Sequence, residues 1–286
     1  MRCNRALIAL TAAGIAWGLT VPMSKVVLGW LDPAWTTVMR FGIAAPVLAL
    51  LARGRVRANA TPAIAAWGAL GFGVVIVLQN VGIQRTSVTH AAVILGAVPV
   101  LVALTAAAAG RGSAGPQAWG GFALMLAGMA LLAGSGGHAS VSGDLLMLAS
   151  AALSALTIEA QSRLLPGRDP IAVTAVQMGA AALVALPLAL VAGRLPAGPP
   201  TVTQAVDAAA LITLGSLVPF ALYAYGQKHV TAEVAGAFVN LEPLVGAALG
   251  ALVFHDPFSG LHVAGGAIVI AGMALSAGLT RRSALP

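Results

Sequence analysis

Among the charged side chains inside, or near the ends of, long apolar stretches of this sequence, four stand out: Lys25, Arg40, Glu159 and Glu242. A charge surrounded by hydrocarbon is costly, so ionisable groups that persist there usually face a cavity or a partner helix. Glu242 directly precedes Pro243, and the sequence leaves two interpretations of it open. It is either a cavity carboxylate that contacts an ammonium group or carries a proton, or a structural group that bonds backbone freed by the proline.

The other three charges are possible charge partners. Glu159 precedes Arg163 by four residues, the helical spacing of an ion pair, and we favour that interpretation. Arg40 either meets a substrate carboxylate or holds an acid or backbone carbonyls, and we favour the structural role. Lys25 is expected to extend its ammonium group to the membrane interface.

Amide and aromatic side chains form a second group within the apolar stretches. Amide and phenol groups satisfy the carboxylate and ammonium of a zwitterion, and aromatic faces accept an apolar side chain or a cation. The alternative is that these side chains form hydrogen bonds between helices, and we expect this to hold for about half of them. We predict a substrate cavity lined by Trp17, Gln79, Asn80, Tyr223, Tyr225, Asn240 and Glu242.

Signatures of enzymes and metal sites are missing from the sequence. It has no Walker A loop, no His-Glu-x-x-His and no Gly-x-Ser-x-Gly. Its five histidines lack metal-ligand spacing, and the lone Cys3 excludes an intrachain disulfide. We therefore expect no catalytic residues, no metal and no cofactor, and any transport must draw on a gradient.

Composition assigns these residues to a membrane protein. The 286 residues are 59% hydrophobic and only 8% charged, with a mean hydropathy of +0.95, whereas soluble domains carry roughly 25% charged residues. Because a bilayer core needs roughly 20 apolar residues per helix, the sequence predicts ten transmembrane helices. They cover about 6–29, 33–52, 63–84, 88–109, 118–135, 143–165, 171–192, 205–228, 232–254 and 260–280.

The net charge of +7 indicates orientation rather than nucleic acid, because the basic residues lie singly or in small groups between apolar runs. Lys and Arg near short loops stay on the cytoplasmic side. With the amino terminus inside, eleven basic residues fall on the inner side and three on the outer side. Both termini are therefore expected to be cytoplasmic, in a bacterial inner membrane.

The chain also repeats itself. Ala127-Gly128-Met129-Ala130-Leu131 recurs at a shift of 144 as Ala271-Gly272-Met273-Ala274-Leu275, and a shift of 137 places Thr20 on Thr157 and Asp32-Pro33 on Asp169-Pro170. We predict two five-helix repeats, residues 1–137 and 138–286, in one transmembrane domain. Five helices is an odd number, so the second repeat is inverted relative to the first, as in transporters that work by alternating access.

Pro99 and Pro243 occupy equivalent positions under the shift of 144. Each removes one backbone hydrogen bond inside a predicted span, which makes bending there easier. We therefore predict that these two prolines are paired hinges.

The sequence resembles the EamA-type drug/metabolite transporters. Trp17-Gly18, Ser24-Lys25, Asp32-Pro33 and Arg40-Phe41 are similar to the opening of that family, and Pro99, Pro243 and the paired Ala-Gly-Met-Ala-Leu stretches fit its repeat. The resemblance spans nearly the whole chain. It implies a ten-helix inner-membrane exporter of small metabolites, and the chain is most similar to bacterial aromatic amino acid exporters.

Together these observations predict a secondary transporter that exports small amphipathic metabolites, first of all aromatic or other hydrophobic amino acids. A drug or cation exporter and a nucleotide-sugar carrier are the alternatives, and a channel or an intramembrane enzyme is less favoured. The expected partners are a small-molecule substrate and membrane lipid, without nucleic acid. A monomer is expected.

Overall fold

The computed structural model describes residues 2–85, 94–110, 115–133, 140–196, 198–246 and 260–278, and these residues are helical with no strand. The side chain of Lys25 and parts of the predicted spans 88–109, 118–135, 232–254 and 260–280 lie outside what it describes. Fourteen helices are named here in chain order: α1 Arg2–Gly18, α2 Thr20–Leu28, α3 Pro33–Leu51, α4 Val56–Asn59, α5 Pro62–Gly68, α6 Val75–Arg85, α7 Val98–Ala108, α8 Pro116–Ala133, α9 Val141–Leu164, α10 Pro170–Ala192, α11 Val202–Ile212, α12 Val218–Gln227, α13 Ala232–Val239 and α14 Gly260–Gly278.

Each of the ten predicted apolar runs contains helix within its described part. Five continuous helices are long and apolar enough to cross a membrane: Pro33–Leu51, Pro62–Arg85, Val141–Leu164, Pro170–Ala192 and Val202–Gln227. Two shorter apolar helices are Val98–Ala108 and Gly260–Ser276. The described part of the chain is thus helical without strands and includes helices that could span a membrane, and the count of ten spans stays a prediction.

The first predicted run is not one continuous helix, because α1 ends at Gly18 and α2 begins at Thr20. The carbonyl of Gly18 would normally accept from the N–H four residues later, which is position 22. Pro22 has no N–H, so that bond cannot form. A single interruption therefore separates α1 from α2.

Asp-Pro pairs begin two long helices in the same way. Asp32 Oδ1 accepts a hydrogen bond from Ala34 N at 2.9 Å, and Pro33 is the first residue of α3. Asp169 Oδ1 accepts from Ala172 N at 2.9 Å, and Pro170 is the first residue of α10. An aspartate cap followed by a proline satisfies or removes N–H groups that a helix start leaves unpaired. The two pairs that the shift of 137 superposes therefore have the same structural role.

The third and eighth predicted spans, 63–84 and 205–228, each contain a π-helical turn. One turn, Ala69–Val74, joins α5 to α6, and the other, Thr213–Leu217, joins α11 to α12. A shift of 144 places Ala69 on Thr213. Because π turns are rare and are frequent at functional sites, their recurrence at one repeat position indicates a shared role.

Contacts between helices also recur with the two halves exchanged. A Cβ added to Gly121 of α8 would lie 2.7 Å from the carbonyl oxygen of Gly272 in α14, and one added to Gly128 would lie 2.6 Å from that of Gly265. The shift of 144 converts Gly121 into Gly265 and Gly128 into Gly272. The second contact is therefore the first with the halves exchanged.

A second exchanged pair of contacts joins α1 to α12 and α9 to α6. A Cβ on Gly226 would lie 3.0 Å from the carbonyl oxygen of Ala6, and one on Gly82 would lie 3.4 Å from that of Gly143. Gly226 follows Gly82 by 144, and Gly143 follows Ala6 by 137. The helix packing thus follows the sequence repeat.

Candidate functional site

A cavity of about 140 Å³ lies among helices from both halves of the chain. Its wall is formed by α1, α2, α3, α6, α7, α9, α12 and α13, by the π turn at 69–74, and by Leu95 and Glu242, which lie next to the helix interruptions at 97 and 240. Most of the wall is apolar, with a few convergent polar side chains. This composition is typical of sites that bind small molecules.

Five of the seven residues predicted to line a cavity do line this one: Trp17, Gln79, Asn80, Tyr223 and Glu242. Tyr223 is 6% exposed and Asn80 is 5% exposed. Neither the Tyr223 hydroxyl nor Asn80 Nδ2 has a hydrogen-bond partner in the described part of the chain. A buried polar atom without a partner carries a desolvation cost, so a ligand that bonds these two atoms would remove that cost.

The other two predicted residues, Tyr225 and Asn240, are not part of the cavity wall. Tyr225 follows Tyr223 by two positions, which turns it to another face of α12, and its ring lies 4.9 Å from that of His229. Asn240 is fully buried and its Nδ2 donates to the carbonyl of Gly96 at 3.3 Å. Gly96 and Asn240 are 144 residues apart, so this bond joins two equivalent positions of the repeat.

Of the predicted charge partners, one lines the cavity and another does not. Arg163 Nη2 donates to Glu159 Oε1 at 3.2 Å, which is the ion pair that the sequence spacing predicts, and Glu159 is not in the cavity wall. Arg40 is 5% exposed and lines the cavity. Of the possible charge partners whose side chains are described, Arg40 alone reaches the site.

Arg40 is held by the π turn of the second half. Its Nε donates to Ser216 Oγ at 3.0 Å and its Nη2 to the carbonyl oxygen of Gly215 at 2.9 Å. The guanidinium also lies 5.7 Å from the centre of the Phe41 ring. Arg40 thus bonds a backbone carbonyl and a hydroxyl of the π turn, and it also lines the cavity.

Aromatic rings form one side of the wall. The centre of the Trp17 ring lies 5.1 Å from that of Phe220 and 5.1 Å from that of Tyr223. Phe220 also meets Phe72 at 4.6 Å. Edge-to-face and tilted arrangements at these distances are favourable. They give the cavity a preformed apolar surface.

Sequence reasoning missed several wall residues, among them Thr20, Thr157, Phe72 and Phe220. One signal was available, because Thr20 and Thr157 are the same polar residue at one repeat position. The aromatic residues carried no such signal, since an apolar ring inside an apolar run is equally typical of packing against another helix.

The two ends of the cavity differ. Leu28 and Ile83, near the ends of α2 and α6, line the cavity. Their repeat counterparts are packed instead: Leu165 is fully buried, and Gln227 is 1% exposed and donates to the carbonyl of Ile158 at 2.6 Å. Among the described residues, the cavity wall therefore extends to the end of the bundle near Leu28 and Ile83, whereas the equivalent residues at the other end are packed.

The two predicted hinge prolines lie beside interruptions of their helices. Pro99 is the second residue of α7 and follows a turn at Ala97, and Pro243 follows a turn at Asn240. The carbonyls that these prolines leave without their usual N–H partners belong to Leu95 and Val239. Both of these residues line the cavity, so a bend at either proline changes the cavity wall.

No cluster of three or more His, Cys, Asp or Glu side chains suited to a metal ion occurs among the described residues. The described apolar helices and the central cavity are typical of a membrane protein that binds small molecules. Comparison with known proteins gives the class.

The sequence profile of the EamA-like transporter family matches residues 4–134 and again residues 141–278. The chain therefore belongs to the EamA-like transporter family, and it is a transporter rather than an enzyme.

Two curated relatives match nearly the full length. A protein of Archaeoglobus fulgidus described as an "uncharacterized transporter" is 26% identical over 94% of this chain and 96% of the relative. A protein of Streptantibioticus cattleyicolor described as a "probable terminal-alkyne amino-acid exporter" is 28% identical over 96% of this chain and 94% of the relative. A protein of known crystal structure superposes with a TM-score of 0.81 over 100% of both chains at 22% identity, which supports the fold.

Proposed function

We propose that this protein is a secondary transporter that exports small amphipathic metabolites, most of all amino acids with an aromatic or other apolar side chain. The observation that carries this proposal is the mixed wall of the cavity. Trp17, Phe220 and Tyr223 offer ring surfaces to an apolar side chain, while Arg40 and Glu242 offer one charge of each sign to the zwitterionic end. The amino-acid exporter among the relatives supports the same substrate class.

The alternative cargoes fit this wall less well. A nucleotide sugar carries a diphosphate and calls for several basic residues, whereas Arg40 is the one basic side chain among the described wall residues. A drug or cation exporter needs acidic and aromatic groups, and Arg40 beside Glu242 opposes a second positive charge. A channel calls for a continuous filter of charges or carbonyls.

Alternating access is supported by the exchanged contacts of the two halves. In the proposed architecture, ten spans form two inverted five-helix repeats, residues 1–137 and 138–286. Such repeats give two conformations of similar energy, because each half can adopt the shape of the other. With the predicted cytoplasmic termini in a bacterial inner membrane, the end of the bundle near Leu28 and Ile83 is the outer one. We assign this conformation as outward-facing because the equivalent residues at the other end, Leu165 and Gln227, are packed.

The orientation has its own test in reporter fusions placed after Arg57, Arg111 and Arg168. All three should report a cytoplasmic position, because these residues lie in predicted inner loops rich in arginine. Two periplasmic readings would contradict the proposed topology.

The substrate class is tested by counterflow in liposomes that contain the purified protein, with a panel of labelled amino acids and with or without a pH gradient. Tyr223→Phe removes the cavity hydroxyl that has no hydrogen-bond partner among the described residues. Gln79→Ala removes an amide group of the cavity wall. Each should weaken apparent affinity for phenylalanine about tenfold to a hundredfold, since one well-placed polar contact contributes about 1 to 3 kcal/mol.

Tyr225→Phe is the matched control, because it removes the same atom from the same helix outside the cavity wall. It should transport like the parent protein. Equal behaviour of the Tyr223 and Tyr225 variants, or a parent protein that transports no amino acid of the panel, would contradict the assignment of site and substrate.

A further inference from the structure

The cavity wall is built largely from residue pairs that the repeat relates. Leu95 pairs with Val239, and Thr20 with Thr157, and all four line the cavity. A wall whose two halves are equivalent offers a bound molecule two orientations of similar energy. Any feature that fixes a single orientation must come from a pair whose members differ.

Two repeat-related pairs differ in charge, and each contributes one charged residue to the wall. Glu242 corresponds to Val98 by the shift of 144, and both line the cavity. Arg40 corresponds to Gln177 by the shift of 137, and Gln177 is fully buried outside the wall. Each charge therefore occurs once, and neither has a charged counterpart in the other half.

The guanidinium of Arg40 is fixed in position while part of it stays available. Its Nε and Nη2 are bonded to the π turn at 213–217, and its Nη1 donates no hydrogen bond to the described part of the chain. A planar guanidinium that is already immobilised loses little conformational freedom when it binds a carboxylate. Arg40 is thus a preorganised anion-binding group.

The carboxylate of Glu242 faces the same cavity and interacts electrostatically with Arg40. Across the residues that the structure describes, no direct ion pair or hydrogen bond occupies this carboxylate. Arg40 is the only basic residue and Glu242 the only acidic residue of the described wall, so the wall offers one ionisable group of each sign. A ligand that bridges the pair must itself carry both charges, because either charge alone leaves one wall group uncompensated.

We propose that Arg40 and Glu242 are a specificity-determining pair that selects free zwitterionic amino acids and fixes their orientation. Arg40 binds the carboxylate, Glu242 binds the ammonium group, and the side chain lies against Trp17, Phe220 and Tyr223. This assignment rests on the proposed function, since it concerns the same cavity and the same substrate class. It predicts rejection of analogues that keep the side chain but lack one of the two charges.

The test uses three probes with the same phenyl group: phenylalanine, 3-phenylpropionate without the ammonium group, and phenethylamine without the carboxylate. Binding to the purified full-length protein is measured as a shift of the thermal unfolding midpoint with ligand concentration, so that a variant defective in transport can still be read. The parent protein should bind each analogue about tenfold to a hundredfold more weakly than phenylalanine.

Variants of the pair should change this preference in opposite directions. Glu242→Gln should reduce the ratio of the affinities for phenylalanine and 3-phenylpropionate at least about tenfold. It should leave the ratio of the affinities for phenylalanine and phenethylamine unchanged. Arg40→Gln, which introduces the residue found at the equivalent position of the other half, should narrow the gap to phenethylamine instead. Because Arg40 also holds the π turn, the Glu242 variant decides the outcome if Arg40→Gln does not fold.

Glu159→Gln is the matched control, since Glu159 is a buried carboxylate outside the cavity wall, and it should keep the parent preference. The proposed pair is overturned if the parent protein binds both analogues as tightly as it binds phenylalanine. It is also overturned if Glu242→Gln lowers the affinity for all three probes to the same degree. In that case counterflow of amino acids by the parent protein would still support the proposed function. Absence of both binding and counterflow for every amino acid would overturn the function and the pair with it.

Discussion

Replacing Pro99 and Pro243 together by alanine should stabilise the fold and slow transport. In the structure each proline follows an interruption of its helix, at Ala97 and Asn240. An alanine at either position supplies the missing N–H to the carbonyl four residues earlier, on Leu95 or Val239. Straightening both helices should therefore become more favourable.

The magnitude follows from the two regained hydrogen bonds. Each contributes about 1 kcal/mol net, so the double variant gains about 2 kcal/mol in the straightened conformation. If exchange between outward- and inward-facing states requires bending at both prolines, the same 2 kcal/mol adds to the barrier. That corresponds to a rate about 30-fold lower.

Counterflow rates in liposomes and thermal unfolding in detergent measure the two effects separately. Pro46→Ala is the matched control, because Pro46 lies inside α3, is exposed on the surface of the described helices and is not in the cavity wall. It should also stabilise the protein, without slowing transport. A double hinge variant that transports at the parent rate, or a Pro46 variant that slows transport equally, would refute the reasoning.

Three further predictions concern packing, capping and access. Gly128→Ala should lower the free energy of unfolding by about 1 to 3 kcal/mol because its Cβ meets backbone at 2.6 Å, whereas Gly42→Ala, with its nearest neighbour at 3.9 Å, should be neutral or stabilising in the same detergent melts. Asp169→Ala loses both a helix cap and an ion pair and should destabilise by about 1 to 2 kcal/mol, whereas Asp169→Asn, which retains the cap, should cost less in thermal unfolding. A cysteine replacing Leu28 should react with an impermeant maleimide from outside intact cells, whereas one replacing Leu165 should not, and equal labelling would contradict the outward-facing assignment.

The sequence predicted the fold well where the signal was periodic or repeated. The apolar runs identified the helices, and the shift of 137 superposed Asp32-Pro33 on Asp169-Pro170, the two pairs that begin α3 and α10. The interruption after Gly18 was also encoded, because Pro22 lacks the N–H needed there. The π turns were not predictable, since an extra residue in a helical turn leaves no mark on hydrophobic spacing.

The candidate site was predictable in part for a similar reason. Polar residues such as Gln79 and Glu242 stand out in an apolar run, and they line the cavity. Asn240 stands out equally but bonds the backbone of Gly96, and sequence alone does not distinguish a polar group that faces a cavity from one that joins two helices. Phe72 and Phe220 carry no polar signal, so only packing assigned them to the wall.

The most direct test of the account is the release of labelled phenylalanine from liposomes that contain the purified protein. Efflux should saturate with internal concentration and should accelerate when unlabelled phenylalanine is present outside, because a carrier with a single alternating cavity returns faster when it is loaded. Acceleration should be lost in Glu242→Gln. Efflux that rises linearly with concentration and ignores external phenylalanine would contradict a carrier of amino acids.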